Sequence, residues 1–227
     1  MKNIIKTTVL MSLLFLGNSA SSQEINWKSL ADERYIAHVN AGFLHGVVWG
    51  AGLGYQLKTK TPVILQAEYS FPSGNDLIDD FKSKAGGQVR VFESGNVHMS
   101  ARLYGNFRRY ENSLARLVNF GSEMSAAVGY YKPGWFLAGE FGFDKAIVTN
   151  FRHSAYMKDM FPEAQDGWFD PSTGGNFNYG LMTGFSFKSS DLYLKAGKVI
   201  NQDFRTKPLV PFYLQLGYNL RINTGNK

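Results

Sequence analysis

Phe177-Asn178-Tyr179-Gly180-Leu181-Met182-Thr183-Gly184-Phe185-Ser186-Phe187-Lys188 alternates along its length. Odd positions carry Phe, Tyr, Leu, Thr, Phe and Phe, and even positions carry Asn, Gly, Met, Gly, Ser and Lys. Successive side chains of a strand point to opposite faces, so one face here is apolar and aromatic and the other small and polar. Phe212 to Ile222 repeats the pattern: Phe212, Leu214, Leu216, Tyr218, Leu220 and Ile222 oppose Tyr213, Gln215, Gly217, Asn219 and Arg221. So do Val47 to Lys58, Val63 to Phe71 and Val97 to Arg108.

Which face turns inward decides the solvent. The polar face carries Glu68, Arg90, Arg102, Glu123, Glu140, Lys195 and Arg221 together with many glycines. A soluble barrel would need that face outside, yet the opposing aromatic face is too extensive to leave in water. Lipid outside and a polar lumen inside satisfies both. Each run also reaches the roughly 9–11 residues that a tilted membrane-spanning strand needs. The expected fold is all-β: a closed antiparallel up-and-down transmembrane β-barrel of about ten strands, with eight as the alternative.

Working outward, the strand cores are expected at 34–44, 47–58, 62–71, 86–93, 97–109, 117–131, 134–148, 177–188, 191–200 and 211–222. The segment Asp76 to Lys84 reads as a short polar turn of helix at most. Tight turns at Leu57 to Pro62, Ser94-Gly95-Asn96, Lys132-Pro133-Gly134 and Ser189-Ser190-Asp191 alternate with longer connections near 72–85, 110–116, 149–176 and 201–210. The one unexpectedly short connection on the long side is His45-Gly46. Short turns on one side and long loops on the other are the pattern of outer-membrane barrels.

The chain's 227 residues divide into a signal peptide over 1–22, a lead-in over 23–33, the barrel over 34–222 and a polar tail over 223–227. Lys2 and Lys6 precede an apolar run from Thr7 to Leu16, and Ala20-Ser21-Ser22 supplies small residues for cleavage. Sec export to a bacterial outer membrane is the expected route. Cysteine is absent, which removes thiol catalysis, thiolate metal sites and disulfides. The formal charge is +6, and without Lys2 and Lys6 it is +4. That mild excess suits an anionic lipid surface and is too weak and scattered for nucleic acid.

In signal peptide, strand number, alternation and loop order, residues 34–222 resemble the small outer-membrane β-barrel family, the OmpA/OmpX-like type. The resemblance implies a monomer that the barrel-assembly machinery inserts. Such barrels often end on an aromatic residue that this machinery reads. Here the last strand ends Leu220-Arg221-Ile222, leaving Tyr218 or Phe212 for that role.

The polar face is the first candidate site. Glu68, Glu123, Glu140 and Asp144 are expected to pair with Arg90, Arg102, Lys195 and Arg221, either as an ion-pair plug or along a narrow gated path. The 149–176 loop is the second; its Phe151, Tyr156, Phe161, Trp168 and Phe169 are expected over the barrel mouth or against a partner. Within it, Asp166-Gly167-Trp168-Phe169-Asp170 lacks the ligand spacing of a calcium loop. His153 and Ser154, with Glu140 or Asp144 as the acid, are candidates for a lipid-deacylating Ser–His–acid set. Arg108, Arg109 and Arg116 are candidates for lipid-headgroup and lipopolysaccharide phosphate contact. Gly50-Ala51-Gly52-Leu53-Gly54 fails the nucleotide-loop spacing and reads as small residues on a crowded inner face. No cofactor or metal site is expected. The leading functional expectation is a structural or envelope-interaction role through the outer loops. A lipid hydrolase and a narrow channel are the alternatives.

Overall fold

The computed structural model describes residues 24–30, 33–43, 47–73, 80–170 and 174–223. The expected signal peptide, the His45-Gly46 connection and most of the polar tail lie outside these residues. Ten long strands close into a barrel: β1 (Tyr35–Phe43), β2 (Val47–Leu57), β3 (Val63–Pro72), β4 (Asp80–Ser94), β5 (Val97–Glu111), β6 (Ala115–Lys132), β7 (Trp135–His153), β9 (Gly175–Phe187), β10 (Ser190–Asn201) and β11 (Phe212–Ile222). A helical turn, α1 (Ala155–Met160), and a three-residue strand, β8 (Gly167–Phe169), fill the long connection between β7 and β9. All neighbours are antiparallel, and β1 pairs with β11, from Tyr35 opposite Ile222 to Phe43 opposite Leu214, to close the ring. Closure matters because a free strand edge in lipid would leave backbone groups without partners.

The alternation resolves as expected. Leu53, Leu103, Leu181, Phe185 and Leu216 stand exposed on the outer surface, while the buried residues are mostly polar or charged. Two aromatic girdles bound the apolar belt. At the long-loop end Tyr69, Phe81, Phe107, Phe120 and Trp168 follow one another in ring contact across five strands. At the short-turn end Tyr35 meets Tyr55, and Tyr130 meets Trp135. Aromatic rings prefer this headgroup level, where one end is apolar and the other wet.

Three elements differ from the sequence reading. β4 starts at Asp80, so Asp80 to Lys84 is strand and not helix. Its side chains do alternate, with Phe81 outside and Lys82 and Lys84 inside, but their polarity masks the strand. β7 runs five residues past its expected end, to His153, and pairs there with β6 on one edge and, over Thr149 to Phe151, with β8 on the other. The sheet β5–β6–β7 therefore rises above the rim, and β8 takes the edge that β9 no longer covers. The lead-in is the third difference. Glu24, Ile25, Asn26 and Trp27 are buried, and Glu24 meets Arg102 and Lys195, strand residues that face the lumen.

Small inner-face residues make room for rings from neighbouring strands. A β-carbon at Gly217 would fall within the ring of Tyr193, its register partner on β10, and one at Gly180 would meet Tyr213 and the Ala196 carbonyl. At Gly105, on the lipid face, the nearest atom would be 4.0 Å away. Gly217→Ala is therefore expected to cost about 1–3 kcal/mol by overpacking. Gly105→Ala should stay within about 0.5 kcal/mol. The temperature at which the folded band shifts in detergent gels measures both.

Candidate functional site

The lumen holds the charged residues in separate groups. At mid-height the Arg102 guanidinium grips both oxygens of the Glu24 carboxylate, with Nη1 2.9 Å from Oε1 and Nη2 2.5 Å from Oε2. Lys195 Nζ lies 2.9 Å from Glu24 Oε1 and 2.9 Å from Glu140 Oε2. Tyr213 donates its hydroxyl to Glu140 Oε1 at 2.6 Å, and Arg102 Nη1 approaches Glu140 Oε2 at 3.5 Å. Four charges of alternating sign thus neutralise one another at a site almost closed to solvent. Such a cluster is tolerable in a low-dielectric interior only because each charge is both paired and hydrogen-bonded.

A second group lies along β1, β3, β4 and β6. His38 Nε2 is 2.9 Å from Glu68 Oε2, Lys84 lies 3.9 Å from Glu68 and 3.8 Å from Glu123, and Lys82 lies 3.4 Å from Glu123. Two further groups sit at the short-turn end. Arg221 contacts Asp191 at 3.5 Å and Glu33 at 4.0 Å, and donates to the Ser29 and Lys188 carbonyls. Arg90 holds Glu93 at 2.8 Å, and Lys28 reaches the same carboxylate at 2.9 Å. All seven lumen residues read from the sequence face inward, but Arg90 and Arg221 belong to this rim and not to the central cluster.

The segment 24–30 ties the central cluster to the two rim groups, through Glu24, Lys28 and Ser29, and sequence reasoning missed it. Ile25 and Trp27 join an apolar cluster inside the lumen with Ile36, Ile64, Tyr131, Phe136 and others. Asn26 donates to the Lys132 carbonyl at 2.8 Å and to Ser186 Oγ at 2.9 Å, and Asn219 donates to the Glu24 carbonyl. The chain thus enters from the short-turn end and fills that half of the bore. Several lumen polar atoms have no hydrogen-bond partner among the described residues, including both side-chain polar atoms of Gln88, both ring nitrogens of His98 and the Tyr193 hydroxyl. Buried groups of this kind are costly unless a partner meets them.

Of the hydrolase candidates, Glu140 is remote from the adjacent His153 and Ser154. Glu140 and His153 lie thirteen positions apart on one strand, about 40 Å at roughly 3.3 Å per residue. Ser154 is the N-cap of α1, its Oγ accepting from the Met157 amide at 3.2 Å. His153 instead meets Asp166, which accepts from the His153 backbone N–H at 2.8 Å and lies 3.0 Å from Nδ1. Lys158 Nζ bonds the other Asp166 oxygen at 2.6 Å. Asp166 is therefore a clasp joining β7, α1 and β8. Trp168 meets Phe120 at a tilt on the outer surface, and Phe169 packs edge-on against Phe151.

The arginines also divide. Arg108 lies on the inward face near Asp80, at 3.6 Å. Arg109 and Arg116 point outward, above the upper girdle, with Arg109 2.6 Å from Glu111 and Arg116 opposite Arg152 in register.

The hydrogen bonds from the His153 amide and from Lys158 hold the Asp166 carboxyl well below the usual carboxylate range. A depressed folded-state value means that the clasp contributes fully above about pH 4 and is lost only in stronger acid. Trp168 fluorescence should therefore change with a midpoint below that of an ordinary aspartate. A midpoint at or above about pH 4 would contradict this, and Asp166→Asn should abolish the transition.

No protein-family model matches the chain, and no curated protein matches it. Among solved structures it is similar to an outer membrane channel from Pseudomonas putida F1, at 12% identity over 89% of this chain and 100% of that one, with a TM-score of 0.52. It also matches the KdgM porin at 8% identity, over 83% of this chain and 99% of that one, with a TM-score of 0.43, and a de novo designed barrel, TMB2.3, at 12% identity, over 84% and 95%, with a TM-score of 0.38. The likeness is to outer-membrane barrels in general and not to the OmpA/OmpX type in particular.

Proposed function

We propose that this protein is a narrow polar channel of a bacterial outer membrane, held closed by its own N-terminal segment. One observation carries the reading: residues 24–30 are not part of the wall but enter a lumen lined with charged and amide side chains. Buried ion pairs are a poor source of stability compared with apolar packing. A barrel needed only as a scaffold gains little from so many of them, whereas a path for water and polar solutes requires them. The side-chain atoms of Gln88, His98 and Tyr193 that lack a hydrogen-bond partner among the described residues favour the same reading, since water or a solute would satisfy them. The fold shared with the P. putida channel supports it.

The outer end favours a second role alongside the first. Tyr156 and Met160 stand exposed on a folded projection above the girdle. That projection suits contact with an envelope or extracellular partner, while Arg109 and Arg116 suit the phosphates of outer-leaflet lipids.

In planar bilayers the full-length protein is expected to be mostly silent, and deletion of residues 24–30 should give discrete, frequent conductance steps. A deletion protein that retains heat-modifiable migration yet stays silent at high salt would overturn the channel reading.

A further inference from the structure

We propose that Arg102 and Lys195 form a carboxylate-binding site, which the chain's own Glu24 occupies in the closed state and which takes up small monocarboxylate solutes when residues 24–30 withdraw. The solute step rests on the channel reading; the site itself does not. A planar guanidinium presents two parallel N–H groups that match the two oxygens of a carboxylate, and here both are used. Lys195 adds a third donor at 2.9 Å from the side. All three groups are buried, so their interaction is weakly screened.

The ligand arrives on a segment distinct from the wall. Arg102 and Lys195 belong to β5 and β10, which place them on opposite sides of the lumen, and Glu24 bridges them. Among the described residues, the cluster without Glu24 keeps Glu140 against Arg102 and Lys195, a local excess of positive charge. That excess attracts an anion of the same shape as the one removed.

Glu140 sets the selectivity. It lies 2.9 Å from Lys195 and 3.5 Å from Arg102, with Tyr213 fixing its other oxygen. A tetrahedral dianion would press further negative oxygens toward Glu140. A planar monoanion presents both oxygens to Arg102 and Lys195 and nothing beyond. The site therefore favours formate and acetate over phosphate, and chloride, which cannot make the paired contact, binds weakly.

The test is chemical rescue in the full-length barrel. Glu24→Ala should lower the temperature of the folded-band shift and the refolding yield in detergent. Acetate should restore both saturably, whereas chloride or phosphate at matched ionic strength should not. If the variant folds only with acetate present, that is the same result in its strongest form. Equal effects of acetate and chloride, or no recovery with either, would overturn the site. Glu24→Ala combined with Arg102→Gln should lose the acetate response, and its persistence would also overturn the assignment. Current through the protein lacking residues 24–30 separates the two ideas. Silence there counts against the channel and leaves acetate rescue to judge the site, whereas current that acetate does not block, together with failed rescue, removes the site and keeps the channel.

Discussion

The antiparallel ladder between β1 and β11 is the constraint on which the rest depends. Once it closes, no strand edge remains for lipid to meet, and the two faces of every strand acquire different solvents. Phe212, Leu214 and Leu216 must then be apolar because they face hydrocarbon, and Tyr213, Gln215 and Gly217 must fit inside a narrow tube. Ten strands leave an interior that side chains nearly fill. That is why a glycine so often sits beside an aromatic ring on the inner face: Gly217 beside Tyr193, Gly184 beside Phe136 and Gly52 beside His38 share the available width.

A tube filled in this way must also balance its charges. Glu68 and Glu123 face Lys82, Lys84 and His38, all contributed by the wall. The central cluster differs because its wall residues do not balance. Arg102 and Lys195 outnumber Glu140, and the further negative charge comes from Glu24 in the segment before β1, whose Ile25 and Trp27 pack inside the lumen. The two anchors differ in range and in kind. Apolar burial of Ile25 and Trp27 favours entry of the segment without fixing its depth, whereas the Glu24 contacts set position to within a hydrogen-bond length.

How much of this the sequence revealed follows from what each feature writes into it. A strand between lipid and lumen must alternate, so β2, β3, β5, β9 and β11 were legible residue by residue, as was the inward direction of Glu68, Arg102, Glu140 and Lys195. The start of β4 was not, because Asp80, Lys82 and Lys84 flank Phe81 and Ser83 at the rim, where neither face need be apolar. Glu24 was hidden for a different reason. A segment inside a lumen has no lipid face and no ladder, so it has no period. Its partners lie 78 and more positions away and are visible only once the strands are in register. The distance of Glu140 from His153 and Ser154 is likewise a matter of length: a strand that runs on to His153 carries its end far from the lumen centre.

The projection above the rim shows the same logic at the barrel's edge. β6 and β7 outlast β9, so beyond Lys145 the edge of β7 would be open. β8 covers Thr149 to Phe151, and the Asp166 clasp fastens the connection that brings it there. Above the belt, Arg116 and Arg152 stand directly opposite on the outer face, a like-charge pairing that a sheet ordinarily avoids. Such a pair is tolerable where solvent and counter-ions are at hand, and it would be costly a few residues lower, among Phe107, Phe120 and Trp168. The position of the two arginines and of the Phe107–Phe120–Trp168 girdle below them therefore fixes the same boundary from its two sides, one by charge and one by ring.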